Sequence, residues 1–296
     1  MIRRRLWSPS FVLLKGGSMV NSISFPGLFD QVFEIDRVAF NVFGKDIMWY
    51  GVILSVAVLA AAIYGMRRCN EFGWNQDQVI DGLLYCLPAS IIGARFYYVI
   101  CEWDFYSKYP GKIIAIWEGG LGIYGAIIAT VLVLLWFCKK YKGDMLSAFD
   151  LVSLGFLLAQ GIGRWANFVN AEAHGGVTDM LWGMVINGGQ PVHPTFLYES
   201  IWDLAGFLFL HWYSKRRKFR GEIALMYAGW YGMIRFLTEF LRTDSLFIGN
   251  TGIKTSQLIG GLCVLISVGL LTYFYKTKKY PKPFDSKEQP ETTEQE

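Results

Sequence analysis

The sequence predicts an all-α fold: a polytopic membrane protein of about seven transmembrane helices, with a small extracytoplasmic head between helices 4 and 5. Three observations predict it. The 296 residues are 53% hydrophobic and only 18% charged, with a mean hydropathy of +0.31, which is more apolar surface than a water-soluble domain needs. Apolar windows of about 20 residues, enough to cross a hydrocarbon core of roughly 30 Å, occur at 47–66, 80–103, 113–138, 146–168, 194–213, 222–241 and 256–275. Basic clusters follow the odd windows: Arg67 and Arg68; Lys139, Lys140 and Lys142; Lys215, Arg216, Arg217, Lys218 and Arg220; Lys276, Lys278 and Lys279. With alternating crossings all four fall on one side, and the positive-inside bias makes that side the cytoplasm. The N-terminus, the 169–193 loop and the 242–254 loop are then outside.

The windows are continuous rather than ten-residue alternating runs, so helices are favoured over a barrel, because backbone groups in lipid must be satisfied within the segment. Residues 1–18 read as a non-native or disordered extension: Arg3, Arg4 and Arg5 precede an apolar run, Leu6 to Leu14, too short to span. Translation is expected to start at Met19. Residues 19–46 are expected to form an extracytoplasmic N-terminal segment, 47–275 a seven-helix transmembrane domain with its head loop at about 169–193, and 276–296 a disordered cytoplasmic tail rich in Lys, Pro, Glu and Thr. The net charge of +4 is absorbed by the topology clusters, and no nucleic-acid partner is indicated. Cys69, Cys86, Cys101, Cys138 and Cys263 lie in or beside the windows without CxxC spacing, so they read as packing residues rather than a disulfide framework or zinc site. No metal or cofactor is expected.

At the start of the first helix, Trp49-Tyr50-Gly51 reads as an aromatic belt or a headgroup contact. The third helix opens on Trp117-Glu118-Gly119-Gly120-Leu121-Gly122-Ile123-Tyr124-Gly125, whose glycines permit tight packing or close approach of backbone to a ligand. On the fourth helix, Gln160, Arg164, Asn167 and Ala171 are spaced by four, three and four, which stacks them on one face. An arginine there costs roughly 2.5–3.5 kcal/mol even on insertion scales, so Arg164 is expected to face a partner or a wet cavity. Asp150 lies about 21 Å along the helix from Arg164; it is expected near the helix start, with Ser147 as cap.

The loop that follows carries Glu172, His174, Gly175-Gly176 and Asn187-Gly188-Gly189, a turn-rich stretch large enough for a small head. It ends at His193, with Pro194 at the first position of the fifth helix. His211, beside Trp212, Tyr213 and Lys215, reads as an interfacial anchor. On the sixth helix Tyr231, Arg235 and Glu239 are spaced by four, with Arg242 a turn further. Arg235 and Glu239 are either a neutralising pair that lets the helix insert or, with Arg164, half of an anion site.

Taken together, GRWANFVNAEAHG at 163–175, HPTFLYES at 193–200, YGMIRFLTEFLR at 231–242, WEGGLGIYG at 117–125 and WYG at 49–51 resemble the prolipoprotein diacylglyceryl transferases of bacteria, over about residues 22–275. The resemblance implies an enzyme of the bacterial plasma membrane. It moves the diacylglyceryl group of phosphatidylglycerol onto the lipobox cysteine of a prolipoprotein signal peptide, forming a thioether and releasing glycerol 1-phosphate. It also implies candidate catalytic residues Arg164, Arg235, Tyr231, Tyr124 and His193. Candidate substrate-binding residues are Arg164, Asn167, Asn170, Glu172, Tyr50, Gly119, Gly120, Tyr198, Glu199 and Glu239. Some family members carry histidine where this chain has Tyr124. The thiol's base is then Tyr124, another group such as Glu172, His174 or His193, or no dedicated residue.

In physical terms the arginines stabilise the departing phosphate. A transporter or binder of an anionic lipid or small anion is the rival class, because arginines facing a cavity also line permeation paths; paired, similarly broken helices would mark it, and the polar motifs here are mutually unlike.

Overall fold

The computed structural model describes residues 20–116, 119–243, 245, 247 and 252–284. The expected extension at 1–18, Trp117 and Glu118 of the glycine segment, and the tail from 285 onward lie outside the described residues. The chain divides into two compact units. Among described residues one unit is Met66–Ala148; the other holds 20–65 and Phe149–Phe284.

Seven helices of 18 residues or more are described: α1 (Trp49–Arg68), α2 (Gln76–Cys101), α4 (Ile123–Lys140), α5 (Met145–Asn170), α6 (Thr195–Ser214), α7 (Glu222–Leu241) and α8 (Thr255–Thr277), with a short α3 (Trp103–Tyr106) after α2. Five of them, α1, α2, α4, α5 and α8, are long and apolar enough to cross a membrane. Only 11% of the α1 and α8 windows is buried inside the protein, which leaves their apolar side chains facing outward, as a lipid solvent requires. The chain is a multi-pass membrane protein. In α6 and α7 the apolar content is diluted by Glu199, Asp203, Arg235 and Glu239, the residues around which the site is built.

In the first unit, α2 starts at a capping box: the Asn75 side chain accepts from the Gln78 N–H at 2.8 Å, and the Gln78 side chain accepts from the Asn75 N–H at 3.0 Å. α2 and α4 touch backbone to backbone, since a Cβ on Gly93 would sit 2.6 Å from the Gly125 oxygen. The third helix begins only at Ile123, not at the edge of its apolar window at 113, because Gly119 and Gly120 adopt φ of +86° and +78°, which no helix accommodates.

The second unit contains β-structure that an all-α class lacks. Strands β1 (Val20–Phe25) and β2 (Phe29–Asp36) pair antiparallel, and β1 also pairs with β5 (Val185–Ile186) from the loop between α5 and α6. β3 (Val38–Val42) and β4 (Lys45–Met48) form a hairpin that runs directly into α1. The loop therefore does not fold alone. Ile23, Met184 and Phe196 are its buried core, flanked by Phe168 and Leu197, so the strands are fastened to the ends of α5 and α6.

Below this cap, α5, α6, α7 and α8 are joined by polar as well as apolar contacts. The Ser200 hydroxyl donates to Gly161 O at 2.7 Å, Gln160 Nε2 to the Tyr227 hydroxyl at 3.1 Å, and the Ser267 hydroxyl to Leu225 O at 2.6 Å. Trp202 and Trp230 stack at 4.7 Å, each indole donating to the other's backbone carbonyl at 3.0 Å. Such bonds hold helices together where lipid supplies no hydrophobic drive.

Asp150 differs from its expected role. Its carboxylate, fully buried, accepts from Gly221 N at 2.8 Å and Ala224 N at 2.9 Å, so it caps α7 across the unit instead of serving its own helix. A buried helix N-terminus leaves orphan N–H groups that only an imported acceptor can satisfy. The cap of α5 is Asp144, which accepts from Ser147 N at 2.8 Å; Ser147 is the donor there, not the cap. His211 bonds the Tyr64 hydroxyl at 2.9 Å, a packing contact within the unit. The five cysteines are free thiols: Cys69 and Cys138 are buried as packing residues should be, and Cys101 is exposed. The predicted tail begins in order: α8 continues to Thr277, Tyr280 packs on Phe219 at 5.0 Å, and Pro281 O accepts from Arg220 N at 3.0 Å.

Candidate active site

Arg164 comes from the last third of α5, Glu199 from the second turn of α6, and Arg235, Thr238 and Glu239 from the end of α7. Their spacing along each helix turns all of them inward. They meet on one carboxylate. Glu199, 1% exposed, has Oε2 at 2.6 Å from Arg164 Nη1 and Oε1 at 3.2 Å from Arg235 Nη1, with Arg242 Nη1 at 4.0 Å. The Thr238 hydroxyl donates to Oε1 at 2.9 Å, and Arg235 Nη2 also pairs with Glu239 at 3.1 Å. Three guanidinium groups thus share two carboxylates.

The two principal arginines are held differently. Arg235 makes aligned hydrogen bonds to Glu199 and Glu239. Arg164 touches Glu199 closely, yet Oε2 has no partner of hydrogen-bond geometry. The Arg164 side chain is held by this close ion pair and keeps 18% of its surface open. A guanidinium paired on one edge can still present its remaining N–H groups to a bidentate anion.

The end of α5 carries the remaining polar groups. Asn167 Nδ2 donates to Glu172 Oε1 at 3.1 Å, and Glu172 is flanked by Ala171 and Ala173 at φ of +52° and +54°. Left-handed backbone at two non-glycine residues is strain that surrounding structure has to hold. Tyr50, near the start of α1, lies within electrostatic reach of Glu172 and Arg164. The Asn170 side chain is half-buried and makes no hydrogen bond among the described residues. Tyr231 stacks on Tyr227 at 5.9 Å, one turn before Arg235.

His193 and Tyr198 form a second, adjoining group. The Tyr198 hydroxyl lies 3.3 Å from His193 Nδ1 and accepts from Trp182 Nε1 at 2.7 Å. One residue before Glu199, Tyr198 points about 100° away around the helix, which separates it from the arginines. The loop is drawn to the site by backbone bonds: Gly175 N donates to His193 O at 2.9 Å and Gly176 N to Leu241 O at 2.8 Å. A Cβ on Gly175 would sit 2.7 Å from the His193 Cβ, so only glycine permits this seam between loop and α7 end. A groove of about 300 Å³ is lined by apolar residues of α1, α5 and α6, among them Trp49, Val56, Ile162, Trp165 and Leu204.

Gly119, Gly120 and Tyr124 belong to the other unit. There the glycine loop hangs on Arg95 of α2, a buried residue that sequence reading passed over. Arg95 donates to four carbonyls: Lys112 at 2.6 Å, Ile113 at 2.8 Å, Gly119 at 2.5 Å and Gly120 at 2.9 Å. A Cβ on Gly120 would come within 2.6 Å of its guanidinium. Tyr124 packs on Tyr97 at 6.1 Å.

Arg95→Lys should preserve helix content, because the charge is kept. It should also make the 112–120 segment more readily cleaved in limited proteolysis and lower activity, since one ammonium cannot span four carbonyls and each lost charged hydrogen bond is worth about 1.5–3 kcal/mol. Unchanged cleavage would remove Arg95 from loop positioning.

Asp203 and Thr238 also join the site unannounced, and Arg242, noted in the sequence only for its place along the helix, reaches Glu199. The signal for Arg95 was the one used for Arg164, an arginine inside an apolar window. Arg242 follows Glu239 by three residues, a helical neighbour spacing.

Comparison with known proteins follows this geometry. The sequence model described as "Prolipoprotein diacylglyceryl transferase" matches residues 37–273, a span that contains every site residue above. Phosphatidylglycerol–prolipoprotein diacylglyceryl transferase of Finegoldia magna is 44% identical over 243 residues, covering 82% of this chain and 96% of that protein. Proteins of the same name from Clostridioides difficile and Staphylococcus aureus (strain MRSA252) are 38% and 40% identical, covering 83% and 86% of this chain and 97% and 93% of their own lengths.

Proposed function

The chain belongs to the prolipoprotein diacylglyceryl transferase family, and from that premise we propose that it transfers the diacylglyceryl group of phosphatidylglycerol to the lipobox cysteine thiol of prolipoprotein signal peptides. The product is a thioether and the leaving group is glycerol 1-phosphate. The observation that carries the reading is the junction at Glu199, where Arg164 and Arg235 from separate helices meet and Arg164 keeps part of its surface open.

Attack falls on a glyceryl carbon, so negative charge gathers on the departing phosphate as the C–O bond breaks. Fixed guanidinium charge in a site screened from water stabilises that charge more than water does, with no reorganisation at the moment of reaction. Arg164 takes the phosphate oxygens, Arg235 supports it from α7, and Glu199 and Glu239 hold both arginines in position. Asn167 and Asn170 hydrogen-bond ester or headgroup oxygens, with Glu172 orienting Asn167 and Tyr50 and Tyr231 closing the sides. His193 and Tyr198 order the loop above the site. Gly119, Gly120 and Tyr124 are assigned to substrate contacts within their own unit. The apolar groove on α1, α5 and α6 suits an acyl chain of the phospholipid.

All seven long helices cross the bacterial plasma membrane in this reading, with the N-terminus outside, the strand-bearing cap as an extracytoplasmic head, and the C-terminus in the cytoplasm. The basic clusters after α1, α4, α6 and α8 support that orientation. Two acyl chains on the product give firm anchoring, since each buried methylene adds about 0.8 kcal/mol and a single chain holds only marginally.

The test is mass spectrometry of a lipobox peptide incubated with purified protein in phosphatidylglycerol vesicles. A diacylglyceryl mass increase on the cysteine is expected, with release of glycerol phosphate; an unmodified peptide under conditions that keep the protein folded would sink the proposal.

A further inference from the structure

Asp203 sits one helical turn beyond Glu199 on α6, so both carboxylates face the same way. It is fully buried, and neither of its oxygens has a hydrogen-bond partner among the described residues. A carboxylate in that condition is costly, and selection against it is strong unless it serves something the resting site does not hold. The groups that act on it from the packed elements are Arg164 on α5, Glu199 on α6 and Arg235 on α7, with the Tyr227 hydroxyl of α7 also close. By helical rise Asp203 lies about 6 Å along α6 from Glu199, the carboxylate on which Arg164 and Arg235 converge.

The other carboxylates at the end of the helices are engaged. Glu199 and Glu239 are tied to arginines. Glu172 accepts from Asn167. His174 and His193 belong to the loop and use one ring nitrogen each, Nδ1 at 3.0 Å from Gly175 O and at 3.3 Å from the Tyr198 hydroxyl. Of these four carboxylates, Asp203 is the one with both oxygens lacking a hydrogen-bond partner among the described residues, beside the arginines that would hold the phosphate.

We propose that Asp203 is the base that takes the proton of the lipobox thiol. This rests on the transferase reading. As the sulfur–carbon bond forms, the S–H proton passes to Asp203. The C–O bond breaks with its electron pair going to the phosphate oxygen under Arg164 and Arg235. The proton then leaves Asp203 for the freed phosphate or for water, restoring the carboxylate. A free thiol with pKa near 8.5 is only a few per cent ionised at neutral pH, which is the deficit such a base removes.

The experiment compares two lipobox peptides, one with cysteine and one with selenocysteine, whose selenol is already ionised at neutral pH. Wild-type turnover of the cysteine peptide is the control on the transferase reading itself; if it fails, that reading fails before Asp203 is tested. In Asp203→Asn the cysteine-to-selenocysteine turnover ratio should fall by about 10²–10⁴-fold. The cysteine rate should also climb with pH as the thiol ionises unaided. Because the ratio is internal to each preparation, it does not depend on how much of the variant folds, and Asp203→Ser repeats it with a different side chain. An unchanged ratio, with both peptides slowed alike or neither slowed, would overturn the proposal, as would a change confined to the KM for phosphatidylglycerol.

Discussion

Arg164→Ala and Arg235→Ala should each lower diacylglyceryl transfer by about 10²–10³-fold, the loss typical of removing one preorganised donor from a developing anion. The loss should fall mainly on kcat, because these contacts strengthen as charge gathers on the departing phosphate; Arg235 is in addition bonded to Glu199 and Glu239. Lysine at either position should recover only part of the activity, since an ammonium keeps the charge and loses the planar fork. Transfer to a fluorescent lipobox peptide, with membrane insertion of each variant checked in parallel, measures the effect. Full turnover in both alanine variants would refute the leaving-group role.

Glu199→Gln should be the most damaging conservative change in the molecule. It leaves Arg164, Arg235 and Arg242 with one carboxylate fewer at their junction, and turns the charged acceptor of the Thr238 hydroxyl into a neutral one. Removing one partner of a buried ion pair costs about 3–5 kcal/mol, because the stranded charge remains in low dielectric. A lower unfolding temperature in nanodiscs and loss of transfer are expected together. If the cause is stranded positive charge, adding Arg242→Gln should recover part of the stability but not the activity. A double variant no more stable than the single one would show that Glu199 acts through packing instead.

Much of the site was legible because charged residues in apolar helices are too expensive to be accidental. Arg164, Arg235 and Glu239 announce themselves by that cost, and the four-residue spacing puts each set on one face. Glu199 was visible within its motif, but not as the place where three arginines converge. Asp203 had no pattern around it; its meaning comes from lacking a hydrogen-bond partner among the described residues, a property no one-dimensional reading contains. Arg95 carried the usual signal and was missed. Asp150 was read locally, near the start of its own helix, whereas its carboxylate caps α7 across the unit.

Composition and periodicity are properties of neighbours along the chain, and they were enough to decide the solvent, the helices and which side chains face inward. They also placed the glycines where backbone must turn or approach closely. Which inward faces meet, which acid neutralises which base, and that an N-terminal strand is stitched to a loop more than 150 residues later depend on distances between segments remote in sequence. Those distances are set by the packing of all the helices at once, so the pairing at Glu199 and the isolation of Asp203 exist only in three dimensions.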